Sequence, residues 1–164
     1  MLFRSGVALL ITHGLSGSGK TTATQALLEQ IGAVRVRSDV ERKRLHGMAP
    51  LARSGSGSGN GIYTQQATAA TYERLAAVAE IAIEAGYPAI VDAAFLKRAE
   101  RRHFQELAHR QGVPFIVLDF DAPEKLLRER VAQRNAAGSD ASEADVSVLE
   151  RQMEFRERSE STRL

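Results

Sequence analysis

Gly14-Leu15-Ser16-Gly17-Ser18-Gly19-Lys20-Thr21 decides the fold. It reads G-x-x-x-x-G-K-[ST], a spacing that lets a chain curl around a phosphate and aim successive backbone N–H groups at it. A nucleoside triphosphate needs this because several negative charges must be neutralised in a small volume. Gly17 and Gly19 have no Cβ, so they allow the curl. Lys20 can reach the β- and γ-phosphates, and the Thr21 hydroxyl can ligate Mg²⁺. A helix starting at this point adds about half a positive charge from its N-terminus. Nucleotide contacts are therefore expected from Gly14, Leu15, Ser16, Gly17, Ser18, Gly19, Lys20, Thr21 and Thr22.

The flanks agree with this reading. Val7-Ala-Leu-Leu-Ile-Thr12 is a continuous apolar run, as a strand buried on both faces would be. Thr21 to Gln30 follows, with Ala23, Ala26 and Leu27 at helical spacing and Gly32 as the stop. Strand, glycine loop and helix in that order distinguish a phosphate loop from a glycine-rich turn that happens to contain lysine.

Farther out, strands and helices continue to alternate. Strands are expected at 33–37, 89–92 and 115–120. Helices are expected at 39–46, 65–85, 97–111 and 123–135. Asp140-x-x-Glu143 reads as a capping box opening a last helix that carries Val146, Leu149 and Met153. Residues 51–61, rich in Gly and Ser, read as a mobile loop, and 123–142 as a lid. The alternation predicts an α/β protein with a parallel sheet and helices on both faces, in one domain over 1–164. Ligands of such sheets sit beyond the carboxyl ends of the strands.

Composition narrows the classes. A chain of 164 residues with 43% hydrophobic and 26% charged residues has room for one core. A net charge of +2 gives no electrostatic case for a DNA or membrane surface. The absence of cysteine excludes disulfides, thiolate metal sites and thiol nucleophiles, and fits a cytoplasmic protein. No apolar run is long enough to span a bilayer. His13, His46, His103 and His109 show no metal-ligand spacing and read as surface or packing residues.

The strand-end rule singles out a few polar residues. Asp39 follows the second strand, where a carboxylate can take or orient the proton of an acceptor hydroxyl. Arg42, three residues on, shares its helix face and can bind the acceptor. A second reading stands beside this one: Ser38-x-x-Glu41 is itself a capping box, and an aspartate suits any helix start. Asp92 ends the third strand, where it can hold Mg²⁺ with Thr21 or bind the acceptor. Arg130 and Arg134, spaced i, i+4 after the fourth strand, can close over a triphosphate and offset charge in the transition state, or pair with neighbouring glutamates on a solvated face. Lys97, Arg98, Arg101 and Arg102 form a basic cluster that reads mainly as a solvated face.

With these residues placed, the chain resembles the P-loop kinase-like ATP-binding proteins. It is similar to polynucleotide kinases, to gluconate-type kinases and to small AAA-type kinase domains, which are often fused to aminoglycoside-phosphotransferase-like domains. GLSGSGKTT, RSDVERKRL, IYTQQATAATYERL, AIVDAAFLKRAERRHF and DASEADVSVLERQ carry the resemblance. It implies a three-layer P-loop NTPase sandwich with four to five parallel strands, ATP and Mg²⁺, and Lys20, Asp39, Arg130 and Arg134 in catalysis. It further implies a substrate-phosphate contact from Arg42. The charged tail 156–164 has no apolar run where such kinases carry a fifth strand.

The expected activity is transfer of the ATP γ-phosphate to a hydroxyl. The acceptor would be a small molecule or a nucleic-acid end, and a fused or separate phosphotransferase domain would be a further partner. An aromatic content of 5% offers few stacking platforms for a nucleic acid. The competing expectation is an ATP-binding regulatory module that transfers nothing. A GTPase switch is disfavoured because no Asn-Lys-x-Asp segment occurs.

Overall fold

The computed structural model describes residues 6–57 and 59–157. Four strands, β1 (Leu9–His13), β2 (Val34–Arg37), β3 (Ala89–Asp92) and β4 (Phe115–Asp119), form one parallel sheet in the order β2-β3-β1-β4. β1 lies inside the sheet, in register with Ile90 on one side of Leu10 and Ile116 on the other, and all five of its residues are buried. Its unbroken apolar sequence follows from that burial. Between and after the strands run α1 (Lys20–Ile31), α2 (Ser38–Leu45), α3 (Gln65–Glu84), α4 (Arg98–Gln111), α5 (Glu124–Ala137) and α6 (Val146–Phe155). The α/β class, the parallel sheet and the helical layers are thus as the sequence implies.

The main core lies between the sheet and the α3–α4 layer. Leu9, Ile11, Ala89 and Val91 meet Leu75, Ala79, Ile83, Phe104 and Leu107 there. Phe95 stands edge-on between Tyr72 at 5.2 Å and Phe104 at 5.0 Å, geometries that add to plain burial. α1 packs on β2 and β3 from the remaining face. A second, smaller core joins Leu15 of the glycine loop to Leu127 and Val131 of α5 and Leu149 of α6. That cluster fixes α5 against the glycine loop.

Four details differ from the sequence reading. In α1 the buried residue is Thr24, whereas Ala23 and Ala26 are exposed, because this part of the helix borders a cleft. α5 runs two residues beyond Asn135, to Ala137, and ends on Gly138 at φ 63°. No capping box forms at Asp140, and α6 starts six residues later. Asp145 is its cap, accepting from the Val148 N–H at 3.0 Å, while Asp140 and Glu143 are engaged elsewhere. Ser38-x-x-Glu41 does not cap α2 either, since Glu41 is buried against Arg44 and Arg74. Among the described residues no strand follows β4. The expected charged tail falls largely on 158–164, outside the described residues.

Candidate active site

The carboxyl end of β1 feeds directly into the phosphate loop. Gly17 and Gly19 adopt φ of 82° and 93°, which side chains rarely allow. A Cβ on Gly17 would lie 2.9 Å from the Leu127 carbonyl oxygen, so glycine here serves both the curl and the close approach of α5. Gly17→Ala is therefore expected to cost about 1–3 kcal/mol of stability, read as a lower midpoint in thermal unfolding. An unchanged midpoint would mean that α5 does not press on the loop. Gly19 precedes α1 without any side-chain cap, so the positive end of the helix faces the loop.

Lys20 lies half-buried across this curl. Its Nζ donates to the carbonyls of Gly14 at 2.9 Å and Leu15 at 2.8 Å. Burial lowers its pKa to about 8, although the charges of Asp92 and Asp39 oppose the shift. A cation is what an anionic ligand needs, so the sign is clear: the charged form dominates below about pH 8 and is lost above it. Affinity for an ATP analogue should fall up to about tenfold per pH unit above that point, and Lys20→Arg should flatten the profile. Titration of the dissociation constant against pH measures this. A flat profile in the native protein up to about two units higher would contradict it.

Asp92 ends β3 beside α1, 5% exposed. Its Oδ2 accepts from the Thr21 hydroxyl at 2.9 Å and the Thr24 hydroxyl at 3.4 Å, with Arg37 Nε at 3.8 Å. Thr21 and Asp92 therefore present two hard oxygens side by side. Among the described residues no group of three or more His, Asp or Glu could hold a metal ion. Two oxygens suit a cation that keeps waters and takes its remaining ligands from phosphate, as Mg²⁺ does. The residues fit that ion.

Arg130 and Arg134 lie on one side of α5 and line a cleft of about 630 Å³ with the phosphate loop and Phe120. Arg130 Nη1 donates to the Gly17 carbonyl at 3.2 Å, and Arg134 Nη2 to the Ala144 carbonyl at 3.2 Å. Arg134 Nε is buried without a hydrogen-bond partner, a donor available to an anion in the cleft. The neighbouring Arg128 is spent on Glu124 and Glu150 at the surface.

Asp39, in the first turn of α2, is partly exposed, and its carboxylate makes no hydrogen bond among the described residues. Its charge acts on Lys20, Tyr63 and Tyr72, so it lies near both the phosphate loop and the 63–72 stretch. Arg42 is 7% exposed and already engaged. Nη1 donates to the Ile62 carbonyl at 3.0 Å and the Thr68 hydroxyl at 3.1 Å, and the guanidinium sits 5.0 Å over the Tyr63 ring. Its Nε is buried and unpartnered. Leu15 and Ser16 are also doubly used. Leu15 anchors the small core, and the Ser16 N–H donates to Gln152 Oε1 at 2.8 Å.

Sequence reasoning passed over several residues that shape the site. Arg37 bridges Asp92 and Asp140, the latter at 2.8 Å. Lys43 is fully buried and donates to the carbonyls of Pro50 and Ala141. Glu143 and Tyr63 bond to each other at 3.1 Å. Each depends on a partner distant in sequence, so no local pattern announces it. His13, by contrast, is a packing residue: it is wholly buried, with Nδ1 on Asp119 at 2.8 Å. Arg101 of the basic cluster is likewise committed, donating to the Phe95 carbonyl at 2.7 Å.

Comparison with known proteins follows the same lines. A family profile described as AAA domain matches residues 9–159. Relatives described as uncharacterized proteins of Mycobacterium bovis and Mycobacterium tuberculosis are 23% identical over 143 residues, covering 87% of this chain and 29% of theirs. The chain thus spans less than a third of the length of those relatives. Among solved structures, a gluconokinase from Sinorhizobium meliloti is 25% identical with a TM-score of 0.54, over 92% of this chain and 75% of that one. An APS kinase from Mycobacterium tuberculosis, solved with AMPPNP and APS, is 20% identical with a TM-score of 0.64, over 94% of this chain and 84% of that one. No helix among the described residues is long and apolar enough to cross a membrane.

Proposed function

Because the chain belongs to this AAA-domain family, whose profile covers residues 9–159, we propose that it is an ATP-dependent phosphotransferase acting on a hydroxyl of a small molecule. The observation that carries the reading is the unspent Asp39 carboxylate near Lys20 and Tyr63. Glu41, two residues on in the same helix, is by contrast buried and paired with Arg44 and Arg74. A carboxylate without such bonds, beside a phosphate loop, suits a base or an acceptor-orienting group. The gluconokinase and APS kinase likenesses support a small acceptor over a nucleic-acid end.

Mg²⁺-bound ATP supplies the γ-phosphoryl group. The phosphate loop orients the phosphates through backbone N–H groups, and Lys20 leaves the Gly14 and Leu15 carbonyls to neutralise them. Thr21 and Asp92 would hold Mg²⁺, which would supply charge neutralisation for the phosphates. Arg130 and Arg134 offset negative charge on the α5 side, and Asp39 orients the acceptor hydroxyl and takes its proton. Arg42 shapes the acceptor side chiefly by fixing Ile62, Tyr63 and Thr68, with Nε left for the acceptor itself. The much greater length of the mycobacterial relatives supports operation beside a further domain.

The test is ADP formation from Mg·ATP with sugars, sugar acids, nucleosides, aminoglycosides and 5′-hydroxyl oligonucleotides offered in turn. At least one small hydroxyl compound should raise the rate well above that with water alone. Tight ATP binding with no stimulation by any acceptor would favour a regulatory module instead.

A further inference from the structure

The segment 138–145 between α5 and α6 is fastened on both sides of the cleft. On the acceptor side there are three attachments. Asp140 Oδ1 accepts from Arg37 Nη2 at 2.8 Å, and the Ala141 carbonyl accepts from the buried Lys43 at 2.7 Å. Glu143 accepts from the Ser54 N–H at 2.6 Å, the Ser54 hydroxyl at 2.5 Å and the Tyr63 hydroxyl at 3.1 Å. Burial opposes the Glu143 charge, yet these donors outweigh it and keep the carboxyl below its ordinary pKa.

A hydrogen-bond relay continues from Glu143 into the Gly/Ser-rich loop. The Ser56 N–H donates to the Ser54 hydroxyl at 3.1 Å, and the Ile62 N–H to the Ser56 hydroxyl at 3.4 Å. Arg42 then holds the Ile62 carbonyl and lies over Tyr63. On the nucleotide side, Arg134 lines the phosphate cleft and holds the Ala144 carbonyl, one residue from Glu143. Its Nη2 is spent on the Ala144 carbonyl, while its buried Nε has no partner. A phosphate oxygen can therefore engage Arg134 without breaking the bond to Ala144, and fixing the guanidinium stiffens the segment it holds.

We propose that Glu143 is a positioning residue that couples the two sites: through Arg134, Ala144 and Glu143, a bound nucleotide orders residues 52–56 and 60–63 and so prepares the acceptor side. The inference rests on the nucleotide-binding reading above. It commits to positive coupling, with the nucleotide tightening the loop.

Hydrogen exchange of the full chain, with and without Mg·AMPPNP, tests it. In the native protein the nucleotide should slow amide exchange across 52–56 and 60–63 about tenfold, alongside protection of 14–22. In Glu143→Ala the slowing across 52–56 and 60–63 should fall below about twofold while 14–22 stays protected. Tyr63→Phe, which removes one of the three donors and keeps the ring, should show an intermediate response. Equal slowing in the Glu143→Ala variant would overturn the proposal, as would protection of 14–22 in the native protein with no change in 52–56 and 60–63. Absence of any response at 14–22 would remove the nucleotide reading and the coupling with it.

Discussion

Lys20→Ala should lower kcat/KM for phosphoryl transfer by at least about 10³-fold and weaken ATP-analogue binding. The side chain reaches the Gly14 and Leu15 carbonyls at the mouth of the loop, and no other lysine lines the cleft. Arg130 and Arg134 enter from α5, on a different side, and cannot take its place over the β- and γ-phosphates. Thermal unfolding of the variant, measured alongside, separates loss of transfer from loss of fold, since the lysine bonds are made to carbonyls of the buried residues Gly14 and Leu15. Steady-state kinetics with calorimetric binding measures both effects. A variant with near-native transfer would show that the loop does not hold the phosphates in the proposed way.

The second large effect is expected at Asp39. Asp39→Asn keeps the shape and removes the charge. It should lower kcat by about 10²–10⁴-fold with little change in ATP affinity. Because the native carboxylate makes no hydrogen bond among the described residues, the substitution leaves no buried partner unpaired. Stability should stay nearly constant, so a catalytic loss cannot be ascribed to unfolding. Loss of ATP affinity with unchanged kcat would instead place Asp39 in nucleotide binding. The Lys20 field gives a further check: removing the Asp39 charge takes away one of the influences that hold the lysine pKa up.

The residues that were legible in sequence are those whose environment is local. The phosphate loop is a contiguous backbone device, and β1, β3 and α3 carry unbroken or periodic apolar signals. β3 is found over the expected 89–92, and the strand ends bring Asp39 and Asp92 toward the loop. The sequence was least informative where charged residues are buried. Glu41, Arg42 and Lys43 are adjacent in α2 and all enclosed, since their partners Arg74, Ile62, Thr68, Pro50 and Ala141 arrive from elsewhere. Asp140-x-x-Glu143 has the form of a helix cap, but long-range donors Arg37, Ser54 and Tyr63 claim both carboxylates, and the helix start passes to Asp145. A cap contributes about 1 kcal/mol, which charge-assisted bonds to several donors readily exceed.

These partners also account for the division of labour around the cleft. On the phosphate side the glycine loop and the start of α1 are contiguous in sequence, and Arg130 and Arg134 join them from α5. The proposed acceptor side would draw on α2, on 51–57 and 59–63, on the 138–145 segment and on the end of β3. Its order depends on ion pairs and side-chain hydrogen bonds more than on a continuous apolar core. Such surfaces open at lower free-energy cost than the sheet core, which suits a side that must admit and release a substrate.

Direct detection of labelled phosphate in product is the most searching measurement. The protein is mixed with ATP labelled at the γ-position, Mg²⁺ and the acceptor that most stimulates ADP formation, and label in the acceptor is counted against ADP produced. The predicted result is one labelled phosphate on an acceptor hydroxyl for each ADP, abolished by Lys20→Ala and strongly slowed by Asp39→Asn. Label appearing only as free inorganic phosphate, at the same rate with and without acceptor, would contradict a phosphotransferase.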